Sequence, residues 1–538
     1  MIDRRQLIAA GMVGLGALAL PGVASILHAR GFTHGVASGE PGPGSVLLWT
    51  RYASESDTLL RVEVATDTLF RRIVAGADAR AVPDRDHTAR ATVTGLEAGR
   101  WYFYRFIAPD GAMSPVGRTR TLPVGEVARF GIGLFSCSNL PFGWFNAYAH
   151  ACGRSDLDLV VHVGDYLYEY PVGSYPDARL ALPGRLIQPS QETVSVADYR
   201  LRHASYRLDP DLQRLHQSYP TIVQWDDHEI TNDAWVGGAE NHQPDTEGDW
   251  GIRKAAAERV YREWMPVSDE RWAAYEIGNL ATLFKLETRI SGRSAPPDLE
   301  GRLAGRTDID RALAEFRDGT LNDPARTVLG EPQEQWLAAA LRRSAAAGKP
   351  WQVLAQQIVM GEVLMPSDVR DWIPADAPEL VKRRVAVGTV ASRLGLPFNF
   401  DSWGGFPAAR RRLLTAGLEA EANLIVLSGD SHNAWGQNLR VEARPAGVEF
   451  ATHSVTSPGF EMALGKVAPT DVAAALRRTN PGLVYSDTSR RGYCSVVLGA
   501  QETVGTFHFL RTVGERSTEL AESVSLRVRA GQRALEPA

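Results

Sequence analysis

The sequence predicts an α/β domain preceded by a small all-β domain. Residues 31 to about 122 hold short strand-like runs separated by Gly, Pro and Asp clusters, the spacing of a β-sandwich. From about 129, apolar runs alternate with longer helical stretches, the pattern of βαβ units. Several of these apolar runs end in Asp, His, Cys or Tyr. In open α/β sheets, ligands sit just beyond the carboxyl ends of strands.

Composition agrees with two soluble domains. At 538 residues the chain exceeds one ordinary core. It is 44% apolar and 22% charged, as globular proteins are. A net charge of -5 argues against a nucleic-acid-binding surface, which is usually basic. Cys137, Cys152 and Cys494 are too few for a disulfide framework.

The chain opens with Arg4-Arg5-Gln6-Leu7-Ile8, then a small apolar stretch Ala9 to Leu20, then Pro21 and small residues to Ala29. This is the layout of an export signal over residues 1–29. The paired arginines resemble a twin-arginine signal, although the lead-in is Asp3 and not Ser or Thr. The expectation is a protein exported folded by the twin-arginine machinery and found in the periplasm or secreted. The apolar run is short and glycine-rich for a spanning helix. No comparable run follows, so the mature chain is expected to lack a stable membrane span.

In the all-β domain, Ser45 to Arg51, Leu60 to Ala65 and Ala91 to Thr94 read as strands. Gly95 to Phe106 reads as a turn feeding an alternating aromatic strand, similar to a corner of fibronectin-type modules. In the α/β domain the apolar runs are Phe130 to Phe135, Leu157 to Val163, Thr221 to Gln224, Trp351 to Ala355 and Leu424 to Ser428. Between them lie helical stretches: Tyr199 to Leu215 with Asp209-Pro210 inside it, Gly251 to Trp264, and one beginning at Glu331-Pro332. Residues 170–195, 233–250 and 361–407 read as long irregular loops, which in compact domains form walls or lids. Tyr493 to Leu498 and Val504 to Leu510 read as a closing hairpin, and the tail from 525 to 538 as polar and frayed.

Four run ends carry the chemistry. They supply Cys137, then Asp165 with Tyr168, then Asp226-Asp227-His228, then Asp430 with His432. Singly, each has an ordinary structural reading: a buried thiol, a core tyrosine, a turn cap, a hydrogen-bonded histidine. Jointly they read as a metal site. Thiolate, phenolate and imidazole suit a transition metal, the phenolate especially ferric iron, whereas carboxylates suit a hard ion. Asp165 could bridge two ions, and a two-metal site is a recurring device for phosphoester hydrolysis.

The chain resembles the PhoD-like alkaline phosphatases and phosphodiesterases. The phrases that carry the resemblance are Gly35 to Pro41, Phe135 to Ser138, Val163 to Glu169, Trp225 to Glu229, Leu427 to His432 and Asn480 to Tyr485. The resemblance implies a four-layer α/β/β/α metallophosphoesterase domain over 129–524, of the calcineurin-like superfamily, after a fibronectin/Ig-like sandwich over 31–122. It implies hydrolysis of phosphate mono- and diesters with ferric iron and calcium. Cys137, Asp165, Tyr168 and His432 would surround the iron. Asp165, Asp227 and Asp430 would surround calcium, with the role of Asp226 open. By analogy to purple acid phosphatases, which have Asn where Asp227 stands, His228 would contact the phosphate or protonate the leaving group, supported by Asn232. Arg289 is a candidate phosphate contact; its alternative is a surface arginine at a strand end.

Two phrases depart from the family pattern. Glu287-Thr288-Arg289 stands where Asp-x-Arg is common, and Trp403-Gly404-Gly405-Phe406 where Trp-Asp-Gly-Tyr is common. The second removes a carboxylate from a wall of the cleft. No Ser or Thr nucleophile signature is present, so direct transfer to water is expected. Rival readings are a phospholipase D-type phosphodiesterase acting on lipid headgroups, a catalytically inactive cell-surface binding module, and a haloperoxidase- or oxidase-like use of the iron.

Overall fold

The structure, a computed structural model, describes residues 29–374, 379–397, 399–464 and 466–538. The expected export signal lies outside them, save for its last residue. Among the described residues no helix is long and apolar enough to cross a membrane.

The first seven strands are β1 (Gly31–Gly39), β2 (Ser45–Ala53), β3 (Thr58–Ala65), β4 (Ile73–Ala81), β5 (Thr88–Thr94), β6 (Trp101–Ile107) and β7 (Gly117–Arg120). They form two layers over a shared core that includes Val46, Leu48, Val62 and Tyr104. One layer is an antiparallel sheet of order β4-β3-β6-β7. The other, β1, β2 and β5, does not close on itself. After β8 (Arg129–Phe135) and β9 (Leu159–His162) comes β10 (Pro220–Val223). β1 pairs with β10 in parallel, Ser38 opposite Pro220 and Gly39 opposite Thr221. One layer of the sandwich therefore continues into the sheet of the following domain.

The next strands are β11 (Ala273–Ile277), β12 (Ala281–Lys285), β13 (Trp351–Ala355), β14 (Leu424–Ser428), β15 (Ala434–Val441), β16 (Arg444–Ala451) and β17 (Leu483–Asp487). They build a seven-stranded sheet, β11-β12-β13-β14-β16-β15-β17. The last strands are β18 (Gly492–Gly499), β19 (Glu502–Leu510), β20 (Leu520–Arg529) and β21 (Glu536–Pro537). These return to a ten-stranded sheet, β21-β20-β19-β18-β8-β9-β10-β1-β2-β5. The fold is thus mixed α/β with several sheets.

Burial explains why the central strands are continuous apolar runs. β8, β9 and β10 are parallel, as are β12, β13 and β14, and parallel strands are covered on both faces. Ile132, Leu134 and Val161 of one sheet pack against Leu283, Val353 and Ile425 of the other. Phe135, Val160 and Val223 face Tyr148, Leu212 and Val260 of helices Asn146–Cys152, Pro210–Ser218 and Trp250–Trp264. Phe284, Leu354 and Val426 face Leu337, Leu341 and Leu414 of helices Glu331–Ala346 and Pro407–Glu419.

Three expectations are corrected. The stretch Tyr199 to Leu215 is two helices, Val196–Arg207 and Pro210–Ser218, because Asp209 caps the second through the N–H groups of Asp211 and Leu212. Residues 361–407 are not loop throughout: helix Glu379–Arg393 lies among them, with Ala391 in a satellite core with Leu313 and Phe316. The tail is not frayed. β20 pairs with β19 along its length, and Leu526, Val528 and Leu535 are buried between the sheets. The polar residues that make this tail read as frayed alternate with them.

Leu526→Ala should therefore destabilise the protein by about 3 kcal/mol in urea unfolding, as loss of a buried leucine does. A change below about 0.5 kcal/mol, the usual range for exposed sites, would return the tail to the surface.

Candidate metal centre

The carboxyl ends of β8, β9, β10 and β14 meet at one edge of the two sheets. Cys137, Asp165, Asp430 and His432 all lie in the left-handed region, with φ of 60°, 53°, 62° and 61°. Such residues cost about 1–3 kcal/mol each and cluster at functional sites. Cys137, Asp165 and Asp430 lie two or three residues past a strand end and His432 two residues beyond Asp430, so the sharp turns re-aim these side chains off the end of the sheet. Gly164 makes the closest approach: at φ 100°, a Cβ there would lie 2.4 Å from the Cβ of Asp226. Only glycine lets the β9 loop touch the β10 loop.

The donors sort into two poles. Ligand atoms of Cys137, Asp165 and His432 lie within 4.8 Å of one another. The Cys137 thiol donates to Asp165 Oδ2 at 3.3 Å, and the Tyr168 hydroxyl reaches the same oxygen at 3.1 Å. That hydroxyl is also 3.1 Å from His432 Nε2. His432 Nδ1 donates to the Pro458 carbonyl at 2.8 Å, which leaves Nε2 as the lone-pair nitrogen. The second pole is all carboxylate: Asp226, Asp227 and Asp430 also group within 4.8 Å. Asp165 groups separately with Asp227 and His228, and so stands between the poles.

These groups fit cations by two observations. Asp165 Oδ1, Asp226 Oδ2 and Asp227 Oδ1 are buried without a hydrogen-bond donor, although buried polar atoms are nearly always satisfied. Second, burial pushes Asp165 well above its ordinary value, with Asp227 and Asp226 adding to the push. Burial and Asp226 do the same to Asp430, and burial pushes Asp226 up to about 7. Burial opposes charge on Asp227 too, yet Arg289 and His228 hold it well below the usual carboxylate range. Burial raises the Cys137 thiol and Tyr168 phenol, and lowers His432 to about 4. Anionic donors crowded in this way lack positive charge, which a polyvalent ion supplies.

Arg289 departs from the expectation. It neither lines the cavity nor lies on the surface; it is fully buried. Its Nε donates to Asp226 and its Nη1 to Asp401, while Nη2 reaches Asp430 at 2.9 Å and Asp227 at 3.5 Å. Asp226, the residue whose role is least legible in sequence, is thus an arginine partner with one oxygen left free. Glu287 orders the turn that carries Arg289: its carboxylate accepts from the N–H of Arg289, Ile290 and Ser291 and from the Trp225 indole at 3.0 Å. The second departure from the family pattern also has a structural counterpart. A Cβ on Gly404 would lie 2.8 Å from the Cβ of Pro397, and Asp401, nearby in sequence, lines the cavity.

The cavity has a volume of about 220 Å³. Asp165, Asp227, His228, Asp430 and His432 form one side, and Val359, Val363, Trp435 and Phe460 form an apolar wall. His228 Nδ1 is 2.7 Å from Glu169 Oε2. Burial opposes the charge on His228, yet Glu169, Asp227 and Asp165 raise its pKa well above the ordinary imidazole value. Asn232 lines the cavity; its N–H donates to Glu169 at 2.9 Å and its amide to Glu240 at 3.1 Å.

Four acids escaped sequence reasoning: Glu169, Glu229, Asp233 and Asp401. Asp233 and Asp401 group with Asp227 within 4.8 Å. Glu229 accepts from the N–H of Asp165 at 3.1 Å, Tyr166 at 2.7 Å and Asp226 at 2.8 Å. It clamps the two loops that Gly164 brings together. Glu169, Glu229 and Asp233 directly follow predicted site residues, and Glu169 and Glu229 also close phrases that carry the family resemblance.

Glu229→Gln should weaken metal binding about 10–100-fold, the usual cost of losing a group that orients ligands. Calorimetric titration of the metal-stripped protein checks this; unchanged affinity would show that Glu229 does not hold the ligand loops.

Comparison with known proteins gives the family of the chain. The family profile described as PhoD-like phosphatase matches residues 130–507, and that of its N-terminal domain matches residues 19–123. Alkaline phosphatase D of Bacillus subtilis (strain 168) is 33% identical over 501 residues, covering 86% of this chain and 75% of the relative. A solved structure of PhoD superposes with a TM-score of 0.76 at 29% identity, covering 95% of this chain and 92% of that one. The chain belongs to the PhoD-like phosphatase family and is a phosphoester hydrolase.

Proposed function

We propose that the enzyme hydrolyses phosphate mono- and diesters with a ferric ion and calcium, and without a covalent phosphoenzyme. The observation that carries this reading is the sorting of the donors. Cys137, Tyr168 and His432 gather on one side of Asp165 and would hold iron with it. Asp226, Asp227 and Asp430 gather on the other and, with Asp165, would hold calcium. Bound there, the ions would polarise the phosphate and lower the pKa of the attacking water.

The chain's own groups do the rest. Arg289 offsets the repulsion among Asp226, Asp227, Asp401 and Asp430. Glu169 holds Nδ1 of His228, so Nε2 is the free ring nitrogen at the cavity. His228 then gives a proton to the leaving oxygen as the phosphorus–oxygen bond breaks, while water oxygen bonds to phosphorus and its proton passes to solvent, from which His228 is reprotonated. Asn232 contacts the phosphate from the same side, and the wall of Val359, Val363, Trp435 and Phe460 receives the organic group. The four-layer α/β/β/α arrangement is our reading of the three cores that flank and separate the two large sheets. We read residues 1–29 as the twin-arginine export signal and the enzyme as periplasmic or secreted.

Chelation of the native protein should abolish phosphoester hydrolysis, and Asp165→Ala should do the same with loss of metal, measured by elemental analysis. Near-native turnover of Asp165→Ala with metal still bound would sink the two-ion reading. His228→Ala should lower kcat about 10²–10⁴-fold, the span of general acid catalysis, with metal content unchanged. A ferric–tyrosinate absorption band should vanish in Tyr168→Phe; a band that survives would remove Tyr168 from the iron.

A further inference from the structure

A second, larger cleft of about 690 Å³ lies between the N-terminal strands and helix Trp250–Trp264. It shares no lining residue with the carboxylate cavity. β4, β5 and the turn Pro83–Arg85 form one side; the helix and the residues after it form the other. Arg80, Arg85, Arg90, Arg259 and Arg262 line it. Asp84, Glu263 and Asp269 are the acids that face them.

These acids are largely engaged. Glu263 is shared between Arg200 at 2.7 Å and Arg259 at 2.9 Å. Arg259 also meets Asp84 at 3.2 Å, Arg262 meets Glu258 at 3.6 Å and Asp269 at 3.8 Å, and Arg80 meets Asp57 at 3.7 Å. Among the described residues, Arg85 and Arg90 have no carboxylate within ion-pair distance. Arg90 is half-buried and donates through Nη1 to the Val267 carbonyl, which carries no full charge. Guanidinium groups present several donors in a planar fork suited to phosphate-type oxygens. A half-buried guanidinium with spare donors favours an anionic partner.

We propose that this seam binds a compact oligoanion bearing several phosphate- or sulfate-type groups. A volume of about 690 Å³, lined by the two arginines without carboxylate partners, Arg85 and Arg90, has room for a ligand carrying more than one anionic group. The ligand would bridge the N-terminal layer and helix Trp250–Trp264, and so would stabilise the packing of one on the other. This inference does not depend on the phosphoesterase reading, and failure of either leaves the other standing.

The test uses inositol hexasulfate as probe on the full-length holoenzyme, with inorganic sulfate at equal charge concentration as comparison. Calorimetry should show tight binding of the hexasulfate and weak binding of sulfate, and thermal unfolding should shift upward with hexasulfate. Arg85→Glu, at an exposed position, should weaken hexasulfate binding at least tenfold with turnover within twofold of native. Arg411→Glu changes the net charge equally at a different surface site and should weaken binding less than twofold. Arg90→Gln should act as Arg85→Glu does; if it does not fold, Arg85→Glu alone decides. Equal binding by the native and Arg85→Glu proteins, equal weakening by Arg411→Glu, or no preference for hexasulfate over sulfate would each overturn the proposal.

Discussion

Four aspartates converge on one buried guanidinium, and the architecture around the site follows from that crowding. Asp226 and Asp227 come from the end of β10, Asp430 from the end of β14 and Asp401 from residues 361–407. Arg289 follows the end of β12 and reaches all four. Buried carboxylates at this density repel one another and lose hydration, so each needs compensation from a fixed positive charge. Arg289 supplies one such charge and still leaves oxygens of Asp165, Asp226 and Asp227 without donors. The same residue welds the two large sheets and the irregular wall into one unit, which is why it is buried and saturated and does not face the cavity.

The rest of the polar scaffold distributes load around this centre. Glu229 ties three backbone N–H groups from two loops, and Glu287 ties three from the turn bearing Arg289. Glu169 accepts from Thr231, Asn232 and Asn241 as well as facing His228. Each carboxylate fixes the backbone of a loop whose side chains must stay poised. Left-handed φ at Cys137, Asp165, Asp430 and His432 requires such fixing, because the relaxed backbone would turn those side chains away.

Much of this was legible in the residues. Apolar runs ending in ligand-type side chains placed Cys137, Asp165, Asp227 and Asp430 at strand ends, because fully buried parallel strands have no polar alternation to blur their limits. What was not legible depended on contacts distant in sequence. Arg289 read as a phosphate contact because its partners, Asp226 and Asp401, lie 63 and 112 residues away. Asp401 was not legible as part of the cavity wall, because nothing local indicates that it turns inward. The tail read as frayed because Leu526 and Val528 alternate with polar residues, and only the pairing of β20 with β19 shows which face is covered.

The parallel pairing of β1 with β10 bears on how such a chain can be assembled. The Thr221 hydroxyl donates to the Ser38 carbonyl across a sequence separation of 183. A strand made early in synthesis must therefore wait for a neighbour made far later, and contacts of such high order slow folding. The N-terminal layer is not a detachable module: cutting between the two regions would expose two unpaired strand edges. Evolutionary shuffling of this sandwich onto other enzymes would have to carry the neighbouring sheet with it.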